Sequence, residues 1–246
     1  MKILILLTAA LATGVSGEAT KDDTTGSIEG RIMWEGEKPK PKPDIVITED
    51  KQAVGCHDHG DMRLTDNTML IGPKGGVANV VLTIEIKDVE VKVPDDPIQI
   101  DQKGCRFEPH IQVLPVGATI SFMNSDTATH NCHTFPKKNT PKNKNVAGGG
   151  NFQQVLDKAE TILVKCDIHP WMKSYVVVTK ATHYAVSDAS GAFSVDGLPP
   201  GDYELSWWHE ELGKGKTEKV TVAAGATSEL THKVGAAKKK KKRRRR

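Results

Sequence analysis

Cys166, His169 and Met172 stand three residues apart in the run Cys166-Asp167-Ile168-His169-Pro170-Trp171-Met172. A thiolate, an imidazole and a thioether thus share one short segment. Apolar runs at 162–164 and 175–178 flank it, so it reads as a loop between two strands. A tight loop can turn all three side chains toward one point, and Pro170 stiffens it and removes a backbone donor beside His169. A further ligand must come from elsewhere. The run Thr129-His130-Asn131-Cys132-His133, which follows the alternating Ile120 and Phe122, can supply it. Two histidines, one cysteine and a weak axial methionine form the ligand set of blue-copper electron-transfer sites, where soft sulfur suits Cu(I). Structural zinc draws instead on four cysteines, three with a histidine, or two of each. The bland alternative keeps Cys166 and Met172 as core residues and His169 as an exposed loop residue.

The surrounding sequence reads as strand and turn. The 246 residues include 22 Gly and 13 Pro and show no heptads and no 3.6-residue apolar period, which favours strands over helices. Ile28, Gly30, Ile32 and Trp34 share one face of a predicted strand. Val80, Leu82, Ile84 and Ile86 alternate, and so do Val89, Val91 and Val93. Lys38-Pro39-Lys40-Pro41-Lys42-Pro43 is an extended, solvated stretch. Pro94 and Pro97, with Asp95 and Asp96 between them, mark a boundary. Beyond it Ile111 and Val113 alternate, Asn124-Ser125-Asp126 is turn chemistry, and 137–151 is a polar, glycine-rich loop. After Lys180, turns at 187–191 and 198–203 separate Phe193 and Val195 from Leu205 and Trp207, and Val220 and Val222 supply a last strand. Trp207 and Trp208 are expected to divide between core and surface. Short strands with regular turns predict an all-β chain built of sandwiches.

The loop 166–172 resembles the copper loop of the cupredoxins. Its Cys-x-x-His-x-x-Met spacing and His-Pro-aromatic-Met ending are most similar to the amicyanin branch, whereas plastocyanins have a longer step to the methionine. The family's first ligand lies in a His-Asn-x-His run, matched here by His130-Asn131-Cys132-His133. The resemblance covers 97–180. It implies a Greek-key β-sandwich with one type-1 copper, held by His130, Cys166 and His169 in the plane and Met172 on the axis. It makes Asn131 the asparagine that ties the two ligand loops together. It also implies that electrons leave at the edge of His169, inside an apolar patch that includes Trp171. Phe107-Glu108-Pro109 is similar to an early strand of the family.

The flanks resemble a different module. Residues 183–233 look like the carboxypeptidase regulatory-like, prealbumin-like sandwich, through Asp188-Ala189-Ser190-Gly191-Ala192-Phe193 and Leu198-Pro199-Pro200-Gly201-Asp202-Tyr203. Residues 26–36 look like its opening strand, so the first and third sections could pair around the copper section. The combination resembles exported bacterial proteins of the methylamine-utilisation type, a likeness that follows the copper loop and establishes no methylamine substrate. The expected division is a signal peptide at 1–17, an N-terminal β region at 26–95, a cupredoxin domain at 97–180, a carboxypeptidase regulatory-like section at 181–235 and a basic tail at 236–246.

Met1-Lys2, the apolar run 3–12 and Val15-Ser16-Gly17 read as a cleavable signal peptide. The run is too short to span a bilayer, and no transmembrane segment is expected after cleavage. The alternative is a buried first strand. Export would place the chain in the periplasm, outside the cell or on its surface. Residues 238–246 are all Lys or Arg, and without them and Lys2 the remaining 24 basic residues face 31 acidic ones, about −7 in net charge. The tail should be disordered and could grip an anionic surface. A solvated tail with no fixed partner is the plain alternative, and export argues against nucleic acid.

Of four cysteines, three remain if Cys166 binds copper. An exported protein favours a disulfide, and Cys56 with Cys105 is the expected pair because both lie in turn-rich stretches outside the ligand loops. Cys132 shares a strand face with His130, as a small core residue or an extra sulfur near the metal. Cys56-His57-Asp58-His59 reads as a disulfide loop, with a second metal site as the alternative. His110, His183, His209 and His232 read as structural. The leading function is an exported one-electron carrier with an unidentified redox protein partner. The alternative is a cell-surface or carbohydrate-type binding protein whose copper is structural, stored or vestigial. An enzyme is not expected. Copper catalysis needs further histidines, for which only His57 and His59 have suitable spacing, and no Ser-His-Asp order, HExxH or phosphate loop occurs.

Overall fold

A computed structural model describes residues 24–47, 56 and 62–235. The expected signal peptide, the basic tail, His57 and His59 lie outside the described residues. The first section supplies β1 (Gly26–Trp34), β2 (Ile45–Ile47), β3 (Met62–Leu64) and β4 (Val81–Ile84). The middle supplies β5 (Ile98–Gln102), β6 (Phe107–Glu108), β7 (Ile111–Pro115), β8 (Thr119–Asn124), β9 (His130–Phe135), β10 (Asn143–Val146), β11 (Asn151–Val155), β12 (Glu160–Lys165) and β13 (Lys173–Thr179). The third supplies β14 (His183–Val186), β15 (Ala192–Leu198), β16 (Gly201–His209), β17 (Gly213–Lys214), β18 (Glu218–Val222) and β19 (Thr227–Val234). The chain is all-β, with no helix among the described residues.

The first and third sections build one sandwich together. β1 lies between β15, antiparallel, and β19, parallel. The facing sheet runs β14-β4-β16-β17, with β18 on β16. Strand alternation sends Ile28 and Ile32 inward, where they meet Val80, Leu82, Ile84, Phe193, Val195 and Leu205. Gly30 sits between them, where a Cβ would lie 2.2 Å from the Leu230 carbonyl oxygen and 2.8 Å from the Phe193 ring. Only glycine admits that ring so close to the strand.

The middle section is a second sandwich, inserted between β4 and β14. Its sheets run β10-β9-β12-β13-β7 and β11-β8-β5-β6. Ile100, Phe107, Leu114, Ile120, Phe122, Ile162, Val164 and Val176 fill its core. Because β4 and β14 pair with each other, His183 opposite Ile84, the two ends of the insertion emerge side by side.

Three expectations need correction. Val89, Val91 and Val93 form no strand, and Val89 and Val93 are 49% and 44% exposed. Charged Glu90 and Lys92 interleave them, and no described strand pairs with the segment, so alternation alone gains no burial. The segment connects the sandwiches. The predicted loop 137–151 contains β10, which pairs with β9 through Asn143–Val146. Trp208 does not go to open surface: while Trp207 packs on the core of the first sandwich, Trp208 joins the boundary between the two.

That boundary combines apolar packing with one buried carboxylate. Val81 from the first sandwich meets Ile111, Val113 and Val177 from the second, and Tyr175 and Trp208 pack edge to face at 5.4 Å between centroids. Glu210 crosses from the third section to His110 and to Lys173, the latter at 2.6 Å. Burial opposes its charge, but hydrogen bonds from His110 and Lys173 outweigh that and hold its carboxyl below the usual value. A carboxylate with a lowered value stabilises the fold at neutral pH and loses that contribution as pH falls through the lowered value. Glu210→Ala should lower stability by about 1.5–3 kcal/mol at neutral pH in urea denaturation. The deficit relative to the unaltered chain should shrink in acid.

Candidate metal centre

One end of the second sandwich gathers the residues singled out from sequence. His130 opens β9 and faces inward with Cys132 and Thr134, while Asn131, His133 and Phe135 alternate to the other face. Between β12 and β13 the loop 166–172 closes on itself: the Cys166 amide donates to the Met172 carbonyl at 3.2 Å and the Met172 amide to that of His169 at 2.9 Å. Since β12 pairs with both β9 and β13, the loop is held beside His130.

His130 Nδ1 and His169 Nδ1 face each other at 2.8 Å, and Cys166 Sγ lies 3.7 Å from His169 Nδ1. The candidate donor atoms of His130, Cys166 and His169 all fall within 4.8 Å of one another. These residues and Met172 are 0, 1, 2 and 1% exposed in the order His130, Cys166, His169, Met172, so water has no ready access. Two backbone amides, of Asn131 at 3.2 Å and of His169 at 3.3 Å, point at the Cys166 sulfur.

Asn131 joins the two ligand-bearing segments. Its side-chain oxygen accepts from the Asp167 amide at 3.2 Å, and its side-chain nitrogen donates to Asn143 at 2.6 Å and Asn145 at 3.1 Å. Asp126 adds a carboxylate that sequence reasoning took only as part of a turn. It accepts from His130 Nε2 at 2.8 Å, which leaves Nδ1 to present its lone pair to the centre. The same carboxylate accepts from the Gly104 and Cys105 amides. The available signal was an aspartate four residues before a candidate ligand histidine.

Cys56 and Cys105 form a disulfide that lies against both imidazoles. Cys56 Sγ is 3.6 Å from His169 Nε2 and Cys105 Sγ is 4.0 Å from His130 Nε2. Trp171 completes the cover: its indole N–H donates to the Cys105 carbonyl at 3.2 Å, and it packs against the Ile47 and Leu64 cluster of the β2–β3 pair, as Ile45 does. The edge of His169, the expected electron exit, thus lies against this disulfide. Cys105, Asp126 and His130 also cluster, but a disulfide sulfur carries no thiolate to offer.

The remaining candidates separate from the centre. His133 lies on the outer face of β9 and bonds the Asp167 carboxylate at 3.0 Å. Cys132 is fully buried, and burial, with Cys166 nearby, pushes its thiol well above the usual value. His110 and His232 pair with Glu210 and Glu218, and His209 is buried.

Residues 170–235 match the carboxypeptidase regulatory-like domain family. The match starts inside the ligand loop, although β13 belongs to the inserted sandwich. No curated protein sequence matches the chain. Solved structures similar to part of it include three copper-associated or cupredoxin folds. A copper-containing nitrite reductase from Thermus scotoductus SA-01 is 20% identical over 39% of this chain at a TM-score of 0.33, and the chain spans 25% of its length. A purple cupredoxin from Nitrosopumilus maritimus is 23% identical, with 34% of this chain and 100% of that one covered and a TM-score of 0.30. A reduced amicyanin variant is 22% identical, with 40% and 98% covered and a TM-score of 0.33.

The cysteines give a direct check. The native protein should show no rapidly alkylated thiol, two after unfolding without reductant, and four after reduction, counted by mass spectrometry. A fast-reacting Cys132 or Cys166 would contradict the burial described.

Proposed function

We propose that the chain is an exported blue-copper protein that carries single electrons. The observation behind this reading is the buried convergence of His130 Nδ1, His169 Nδ1 and Cys166 Sγ at 2.8 and 3.7 Å. One cysteine, two histidines and a buried methionine fit copper, whereas structural zinc takes at least two thiolates. Bound there, copper would supply a one-electron Cu(II)/Cu(I) couple. The residues' task is to keep one geometry in both states. Asn131 clamps the two segments, Asp126 fixes the His130 ring, and the two amides on Cys166 hold its sulfur in place. Met172, buried where the loop closes, would offer its thioether as a further ligand.

The Cys56–Cys105 disulfide supports an oxidising compartment. It agrees with a signal peptide at 1–17 and a location in the periplasm or at the cell surface. The partner on this reading is a separate redox protein, and the tail 236–246 adds attraction to anionic surfaces. The carboxypeptidase regulatory-like unit favours a second reading, a surface binding protein in which copper is structural or stored.

Cu(II) added to the purified metal-free chain should produce an intense visible thiolate-to-copper band, absent in Cys166→Ser. Asn131→Ala should weaken copper binding about 10–100-fold in competition with a chelator. Reversible bleaching and recovery on one-electron reduction and oxidation supports the carrier. A band that does not cycle favours the binding protein, and no band in the unaltered chain overturns the copper reading.

A further inference from the structure

On the blue-copper reading, an electron must leave the centre through one of its ligands. The His169 edge faces Cys56 of the disulfide, the far nitrogen of His130 is engaged by Asp126 beside Cys105, and Met172 is buried. Cys166 is different. Its main chain continues into Lys165, which pairs across β12 and β9 with His133. Its sulfur also takes the Asn131 amide, two residues before His133. Covalent and hydrogen bonds therefore run from the sulfur to the outer face of β9.

That face has the properties of a contact surface. By register, His133 lies beside Lys165, and Phe135 beside Leu163. Phe135 is 43% exposed and stacks on His133 with ring centroids 4.0 Å apart. Exposed Lys137 and Lys138 follow at once. Residues 127–156 contain four lysines and no carboxylate, in a processed core that is otherwise rich in acid. Three lysines, Lys137, Lys138 and Lys165, border this aromatic centre against two carboxylates, Asp167 on His133 and Glu160 at the Lys137 and Lys138 amides, and the net positive balance favours a partner of the opposite sign.

We propose that the outer face of β9 and β12, with Phe135, His133, Leu163 and Lys165 at its centre and Lys137 and Lys138 at its rim, docks an acidic redox protein. The electron passes through Cys166 and the β9–β12 ladder. One electron is exchanged with the partner's own redox centre, and no bond or proton in this chain changes. The inference rests on the blue-copper reading.

The test uses the full chain and two redox probes of opposite charge in stopped flow. Lys137→Glu/Lys165→Glu should slow oxidation of the copper-loaded protein by anionic hexacyanoferrate(III) about tenfold at low salt. It should speed oxidation by cationic tris(phenanthroline)cobalt(III), and Lys137→Arg/Lys165→Arg should match the unaltered chain. In metal-free protein, the redox-inert trianion hexacyanochromate(III) should broaden the amide signals of 133–135 and 137, and the Glu pair should abolish this. A normal copper band with rates and broadening unchanged in the Glu pair overturns the docking surface alone. Absence of the band in the unaltered chain overturns both.

Discussion

Two imidazole nitrogens held 2.8 Å apart beside a cysteine sulfur, out of reach of water, set the constraint on which the rest of the site depends. Lone pairs in that position repel unless a proton or a cation lies between them, and burial removes the solvent that would otherwise soften the repulsion. The surrounding hydrogen bonds keep the donors from relaxing apart. β10 and β12 flank β9, the Cys166–Met172 closure shapes the loop, and Asn131 binds one segment to the other. The donors are arranged by the fold itself, so a cation entering the site has little ordering entropy left to supply.

A loop held this firmly needs a stiff frame, and the frame is shared by distant parts of the sequence. β1 cannot bury Ile28 and Ile32 until β15 and β19 arrive from the far end of the chain. The inserted sandwich, by contrast, encloses its own core. Its orientation is set by the β4–β14 pairing at its base, by Tyr175 on Trp208, and by Glu210 reaching Lys173, the residue after Met172. Glu210, from the section that follows the insertion, therefore holds the first residue of β13, next to the loop 166–172, through one buried carboxylate.

What could be read from sequence follows how local each feature is. The ligand loop is seven consecutive residues, so its spacing alone brings Cys166, His169 and Met172 into view. The strands at Ile28–Ile32 and at Leu82–Ile84 were legible because each buries one alternating face. Val89, Val91 and Val93 show the same alternation without a partner strand to cover them, and a pattern of period two cannot reveal that. β10 was hidden because its Asn and Lys side chains carry no apolar signal, and its edge position needs none. The Asp126 contact is a tertiary refinement of a turn. The disulfide's place over both imidazoles depends on how the β2–β3 pair folds back across the sandwich, which no local spacing encodes.

That fold-back is the least self-sufficient part of the molecule. Two three-residue strands are marginal alone. The disulfide closes a separation of 49 residues, and in the chain-entropy model such a link is worth about 4 kcal/mol. The link, Trp171 and the apolar residues of β2 and β3 thus form one cover. On the blue-copper reading, this cover opposes another feature of the site. A thiolate balances Cu(I) in charge, whereas Cu(II) leaves one positive charge in a dry pocket, so excluding water favours the reduced state. Asp126, bonded to His130, places a carboxylate where it favours the oxidised state. The cover and the carboxylate would then pull the potential in opposite directions, and apart from Trp171 both come from segments outside the loop 166–172.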